Sequence, residues 1–325
     1  MDQTSLNKSL VIAIAGTLPP PIGGVTIHIN RLIEHLEDHH IQYSFYSRSV
    51  KDLLSLLFNK GTPDIVHIHH SNAFIRWLII RILSIRKKKT IITIHRDLKR
   101  EKGIRRYFTN RAIHLTTVPI VLNTDSLYRA KMINDNSRII SSFLPPQIKA
   151  NEAYLKLEAF IKNSQTIFCT NAYDLAYDKS NQEIYQISQL VDIFSQLDKT
   201  IKLIISDPSG NNYNCISKKR VISENILFIS HAHDFVDVIK ESDCLIRATT
   251  TDGDSVSIKE ALYFGVNVIA SDCVDRPSSC TIYQTNNVDE LKDKIVLFNE
   301  YPVVKPENAF PEILDLYQTI SQLSI

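Results

Sequence analysis

Residues 243–277, DCLIRATTTDGDSVSIKEALYFGVNVIASDCVDRP, decide how this chain folds. They read as strand, polar loop, helix, glycine turn and second strand. Cys244, Leu245 and Ile246 are apolar and β-prone, Ser255 is a helix-capping residue, and residues 256–264 form a helical run stopped by Gly265. Asn267 opens a second buried strand, and Ser271, Asp272 and Pro277 mark its exit. That order is half of a parallel α/β unit, in which ligands lie beyond the carboxyl ends of the strands. The loop 249–254 falls on that edge. Behind it, the first amides of the helix from Ser255 favour an anion such as a diphosphate. Two carboxylates bracket the place, Asp252 on the loop and Glu260 inside the helix.

The same alternation extends outward in both directions. Apolar strand-like runs at 10–15, 42–47, 65–69, 90–95, 115–122 and 137–144 alternate with helical stretches, and a second series follows at 166–171, 202–206, 226–230 and 244–248. Repeated β-α order predicts an α/β protein of two doubly wound, Rossmann-like domains around a cleft. Pro145-Pro146 end the first series, and the polar residues 147–152 read as the linker. The expected division is 1–148, 149–306 and a final helix within 307–325.

A length of 325 residues suits about two domains of roughly 150 residues, and 44% hydrophobic content supplies two cores. Five cysteines, at 169, 215, 244, 273 and 280, have no metal-site spacing. An odd count without a secretory signal points to a reducing cytoplasm. Residues 10–15 are too short an apolar run for a signal peptide and lead into Gly16 and prolines. No uncharged run reaches the roughly 18 apolar residues of a membrane span. The net charge of +2 conceals two opposite halves. Residues 1–150 hold 22 Lys and Arg against 10 Asp and Glu, leaving 15 against 25 in the remainder.

The basic excess is densest in the run that begins at Arg86 and ends at Arg111, with 11 basic residues against Asp97 and Glu101. It reads either as a solvated face or as a surface for anionic lipid headgroups. Nothing matches a nucleic-acid-binding motif, and the acidic second half argues against such a partner. Gly23-Gly24 precede a helix over about 25–38 and offer positive φ and close approach of backbone to a ligand. His67 and His69 share one strand face and His70 the other; lacking a third ligand, they read as packing or hydrogen-bonding groups rather than a metal site. His95 closes the strand TIITIH at its carboxyl end.

The opening stretch resembles the donor-sugar motif of retaining glycosyltransferases with the two-Rossmann-domain architecture called GT-B, the glycosyltransferase group 1 family. That motif runs Glu, seven residues, Glu-Ala, then Gly-x-x-Val-Ile-Ala-Ser-Asp. Here it reads Asp252, seven residues, Glu260-Ala261, then Gly265 and Val268-Ile269-Ala270-Ser271-Asp272, with Asp at the first acidic position. The resemblance implies transfer of a sugar from a nucleotide-sugar donor, with retention, to a glycan or lipid-linked sugar in assembly of a bacterial surface polysaccharide such as capsule or O-antigen. It implies a cytoplasmic protein that is peripheral on the inner face of the membrane, with no cofactor and no metal. Asp252-Gly253-Asp254 has the spacing of a metal-binding Asp-x-Asp, but the donor motif explains it better.

By the same resemblance, Glu260 binds the ribose hydroxyls, Asp252 and His95 reach the donor sugar, and Gly23, Gly24 and Ser255 face the donor phosphates. The final helix crosses back to the first domain. Relatives carry an Arg after the first strand of the second domain and a Lys several residues later. Asn171-Ala172 stand at the place of that Arg, and Lys179 is the candidate for the Lys. Arg247 is therefore the expected diphosphate partner. Asp254 is expected to bind a sugar hydroxyl or a basic side chain such as Arg276. Two other classes fit the same features: a nucleotide-sugar epimerase, and a non-catalytic partner subunit, the latter suggested by Asp252 and the missing Arg.

Overall fold

The computed structural model describes residues 10–20, 23–59, 61, 63–147, 155–252 and 254–322. Most of the expected linker and Gly253 lie outside them. Two compact units emerge, residues 1–147 with 307–325, and residues 148–306. Each contains a six-stranded, fully parallel sheet with interleaved helices.

In the first unit the chain runs β1 (Val11–Ala15), α1 (Gly24–Asp38), β2 (Gln42–Tyr46), α2 (Val50–Phe58), β3 (Ile65–Ile68), α3 (Ala73–Ile85), β4 (Lys89–Ile94), α4 (Gly103–Leu115), β5 (Val118–Val121), α5 (Thr124–Lys131) and β6 (Arg138–Ile139). The sheet order is β2-β1-β3-β4-β5-β6. Inner strands such as VIAIA and IVHI are apolar on both faces because helices cover both. One face packs Ile12, Ile14 and Ile65 against Ile29 and Leu32 of α1; the other packs Val66, Ile68 and Ile92 against Ile79, Ile80 and Leu83 of α3.

Two expected strands shrink. Residues 115–117 are not strand, because α4 continues to Leu115. Of 137–144 only Arg138–Ile139 pair in the sheet, at its edge. The carbonyls beyond them are taken instead by other groups: Ser142 O lies 2.8 Å from His28 Nδ1, Leu144 O accepts from Arg31 Nη1 at 3.2 Å, and Phe143 O accepts from the Ala309 amide.

The second unit runs α6 (Leu155–Ile161), β7 (Thr166–Asn171), α7 (Ile187–Ser195), β8 (Ile201–Ser206), α8 (Asn211–Ser217), β9 (Ile226–Ile229), α9 (Phe235–Lys240), β10 (Cys244–Arg247), α10 (Val256–Tyr263), β11 (Asn267–Ser271), β12 (Cys280–Tyr283) and α11 (Val288–Val296). Its order is β12-β11-β10-β7-β8-β9. From β7 the chain winds to one side through β8 and β9, then returns to lay β10 on the other side of β7. That is the dinucleotide-fold order, with its switch point between β7 and β10.

The last helix, α12 (Phe310–Gln322), belongs to the first unit. Its Phe310, Ile313, Leu316, Tyr317 and Ile320 are buried in the cluster on the α1 side of the first sheet.

Gly265 ends α10 as the sequence indicates. Its φ is 83°, its amide donates to Leu262 O, and the Val266 amide donates to Ala261 O, the paired bonds of a Schellman cap. A Cβ there meets no neighbour, so only backbone strain opposes substitution. Gly265→Ala is expected to cost about 1 kcal/mol, seen as a lower urea midpoint at unchanged slope.

Candidate functional site

The switch point of the second unit holds a buried charge cluster. Arg247 is the last residue of β10 and Asn171 the last of β7. A guanidinium at the end of a buried strand is costly unless paired, and the loop that follows supplies the partner. Asp252 Oδ2 accepts from Arg247 Nε at 3.0 Å and Oδ1 from Nη2 at 3.1 Å, a bidentate pair. Arg247 Nη1 donates to Asn171 Oδ1 at 3.1 Å, and the guanidinium lies over the Tyr185 ring, 5.1 Å from its centroid. A second arginine completes the set. Arg276 Nη1 donates to Asp252 Oδ2 at 2.9 Å, and its Nε to Ser271 O at 3.0 Å.

Asn171 thus stands where the resemblance leads one to expect an arginine, and Arg247 bonds it from the neighbouring strand. The two roles expected of Arg247 and Asp252, diphosphate partner and sugar-hydroxyl acceptor, meet an arrangement the sequence did not indicate. These side chains are bonded to each other. Arg276, expected beside Asp254, is drawn to Asp252 instead. Burial pushes the Asp252 carboxyl up, but the two guanidinium groups outweigh it and hold its pKa below the usual value. For Arg247, burial acts downward and Asp252 upward, and the net shift is up. Among the hydrogen-bonded three, two guanidinium groups thus face one carboxylate.

Ser255 is the N-cap of α10, as expected, but its Oγ lies 3.1 Å from Ser257 Oγ and makes no bond to the helix amides. Glu260 is 6% exposed on the buried side of that helix. Asp254 accepts from Lys259 Nζ at 2.5 Å, so this lysine serves the loop rather than facing away from it. Lys179 is exposed on the segment after β7. That segment is tied to the same edge by the Thr250 amide bonded to Ile184 O at 3.0 Å.

In the first unit the glycines sort differently from expectation. Gly23, the N-cap of α1, has φ −168° and ψ 163°, extended backbone open to any residue, and a Cβ there meets nothing within 4 Å. Gly24 opens the helix without positive φ. The glycine with the tightest surroundings is Gly16, where a Cβ would sit 2.5 Å from Ile29 Cδ1 of α1 and would force the end of that side chain to move. The sequence offered no signal for this, because the clash comes from a residue on another element.

His95 follows β4 and does not stand alone. Its Nε2 lies 3.2 Å from His69 Nδ1, just beyond β3, and both rings neighbour His28 of α1. His67 packs its ring against that of His69, 4.1 Å between centroids, but its nitrogens turn elsewhere, Nδ1 lying 2.6 Å from Tyr317 Oη and Nε2 2.7 Å from Thr93 Oγ1. The hydrogen-bonding role expected of His67 fits, whereas the third partner that His69 lacked in the sequence comes from α1 and β4. Burial is the main cause that lowers the pKa of each strand-end histidine: His67 to about 3, His70 to about 4, and His69 and His95 well below the usual imidazole value.

The basic run from Arg86 to Arg111 is divided. Arg86 bonds the carbonyls of Leu57 and Asn59, Lys88 pairs with Asp64 at 2.9 Å, Lys89 donates to Ser321 O at 3.0 Å, and Arg105 pairs with Glu101 at 2.9 Å. These four are structural. Lys99, Arg100, Lys102, Arg106 and Arg111 are exposed, together with Ile104 (76%) and Tyr107 (53%) on α4. No helix among the described residues is long and apolar enough to cross a membrane.

No protein-family model matches the chain, and no curated protein matches it. Solved structures do. The Anabaena protein Alr3699/HepE, in complex with UDP and glucose, is similar over 96% of this chain and 98% of its own, with 12% identity and a TM-score of 0.65. The UDP-GlcNAc 2-epimerase of Methanocaldococcus jannaschii is similar over 95% and 99%, with 12% identity and a TM-score of 0.65. Sucrose-phosphate synthase of Thermosynechococcus elongatus is similar over 96% and 92%, with 12% identity and a TM-score of 0.59. At such identities the likeness is one of fold: two Rossmann-like units of the GT-B kind.

Proposed function

We propose that this chain, which has the GT-B fold, is a retaining glycosyltransferase that takes a sugar from a nucleotide-sugar donor. The observation that carries this reading is the switch point of the second unit, where Arg247 and Arg276 gather on Asp252 and α10, which buries Glu260, begins. In this reading Glu260 accepts from the ribose hydroxyls, as an ionised carboxylate with two acceptor oxygens is suited to do. The helix N-terminus, Arg247 and Arg276 stabilise the diphosphate, Lys179 adds to them from the adjoining segment, and Asp252 holds both guanidinium groups in position. Asp254 and Ser255 meet the sugar, and Gly23-Gly24 and His95 keep the donor-facing roles that the resemblance implies. The bond from the sugar's anomeric carbon to the diphosphate breaks, and a bond to the acceptor hydroxyl forms on the same face. The hydroxyl proton passes to the departing phosphate oxygen. No metal is assigned a part in this step.

The acceptor in this proposal is a lipid-linked sugar of bacterial surface-polysaccharide assembly, at the cytoplasmic face of a membrane. Exposed Lys99, Arg100, Lys102 and Arg106 beside Ile104 and Tyr107 support it, since basic and apolar groups together suit an anionic lipid surface. An epimerase is the second reading, favoured by the likeness to the Methanocaldococcus enzyme; it would change the sugar nucleotide with no acceptor present.

The test is thermal unfolding of the full chain with UDP, GDP, ADP, CMP and their sugar derivatives, beside Glu260→Ala. A ligand at 100 times its Kd should stabilise by about 2.7 kcal/mol. One nucleotide is expected to raise Tm in the wild type and not in the variant. Silence from every nucleotide would shift the reading to the non-catalytic partner subunit. Sedimentation with anionic vesicles, with and without charge reversal at Lys99, Arg100, Lys102 and Arg106, tests the lipid surface.

A further inference from the structure

Three histidines from three elements of the first unit converge at the carboxyl edge of its sheet: His28 of α1, His69 after β3 and His95 after β4. One ring nitrogen from each lies within 4.8 Å of those of the other two. The ring centroids form a nearly equilateral triangle, with sides of 5.0, 5.2 and 5.5 Å. A tetrahedral ion with metal–nitrogen bonds of about 2.0–2.1 Å places the centroids of three imidazole ligands roughly 5 Å apart. The centroid spacings match that arrangement.

The hydrogen bonds around them agree. His28 Nδ1 sits 2.8 Å from Ser142 O, so Nδ1 carries the proton and Nε2 presents a lone pair. A backbone carbonyl on the far nitrogen is the usual way a histidine ligand is oriented. His69, only 3% exposed, has a buried Nε2 with no hydrogen-bond partner among the described residues, which is unusual for a group of this polarity. Packing alone explains His67, whose two nitrogens both find hydroxyl groups, but it leaves His69 one partner short.

We propose that His28, His69 and His95 form a binding site for one divalent cation of the zinc class, with its fourth position open to an anionic oxygen. Three neutral nitrogen donors in a tetrahedral set suit zinc or cobalt and suit calcium or magnesium poorly. Because no ligand is a carboxylate, the ion's charge is uncompensated, so the open position favours hydroxide, phosphate or carboxylate. The ion fixes the tautomer and tilt of His95. The site draws only on the first unit and does not depend on how the second binds its donor.

The full-length protein, stripped with chelator and shown to be folded by circular dichroism, is titrated with Co(II) and separately with Zn(II). The expected result is one equivalent bound per chain, with the visible absorption of four-coordinate cobalt. His28→Gln and His69→Gln should each weaken binding by about 100-fold or more, while His67→Gln keeps it. X-ray absorption on the wild-type complex is expected to show three imidazole nitrogens at about 2.0–2.1 Å, a readout that stands if a variant fails to fold. Absence of uptake by the folded wild type, undiminished uptake by folded His28→Gln and His69→Gln, or a spectrum without imidazole ligands would overturn the site.

Discussion

A chain ending at residue 308, and so lacking α12, is expected to lose the fold of its first unit. Phe310, Ile313, Leu316, Tyr317 and Ile320 are buried against the first sheet. At about 1.5–3 kcal/mol for each fully buried side chain, the helix contributes roughly 8–15 kcal/mol, comparable with the whole stability of a domain. Its removal also strands His67 Nδ1, which lies 2.6 Å from Tyr317 Oη, in an apolar setting. Limited proteolysis of the truncated protein should digest the first unit and leave a resistant fragment near residues 155–306. Equal resistance of both units would show that α12 lies on the first sheet without stabilising it.

Asp252→Ala is expected to destabilise the second unit by about 3–5 kcal/mol, because it leaves the Arg247 and Arg276 guanidinium groups buried without their shared carboxylate. Urea unfolding at neutral pH reads this directly. The effect has a defined pH dependence. The carboxyl's pKa is lower in the folded protein than in the unfolded chain. Its contribution is therefore complete above the unfolded carboxylate pKa, about 3.9, and is lost as pH falls through the folded value. The stability gap between wild type and variant should narrow below about pH 4. A gap under 1 kcal/mol at neutral pH would mean that the three side chains are solvated and readily part, which would return Asp252 to a direct role on the donor sugar.

The α/β class, two parallel sheets and the ends of α10 were legible because each rests on local chemistry. Apolar runs such as VIAIA and LIIS are strands wherever both faces are covered, and a glycine after an eight-residue helical run supplies the left-handed cap. Strand β12, CTIY, was not legible: four residues at a sheet edge carry no period, and pairing with β11 alone makes them a strand. The short β6 failed in the opposite sense, since carbonyls that looked available for a ladder are taken by His28, Arg31 and Ala309.

Within each unit, the sequence by itself determined which chemical groups stand at the strand ends: Arg247 closes β10 and Asp252 follows it, and His95 follows β4. Only the tertiary structure decided how they pair. Arg276 follows Asp252 by 24 positions and still reaches it at 2.9 Å, because β11 and the turn after it return to the same edge. His28, His69 and His95 come from a helix and two strands, and only their packing on one sheet brings the rings within about 5 Å. Residue type and local order set the chemistry available. Distances between elements remote in sequence are set by the packing of whole layers, which no local pattern records.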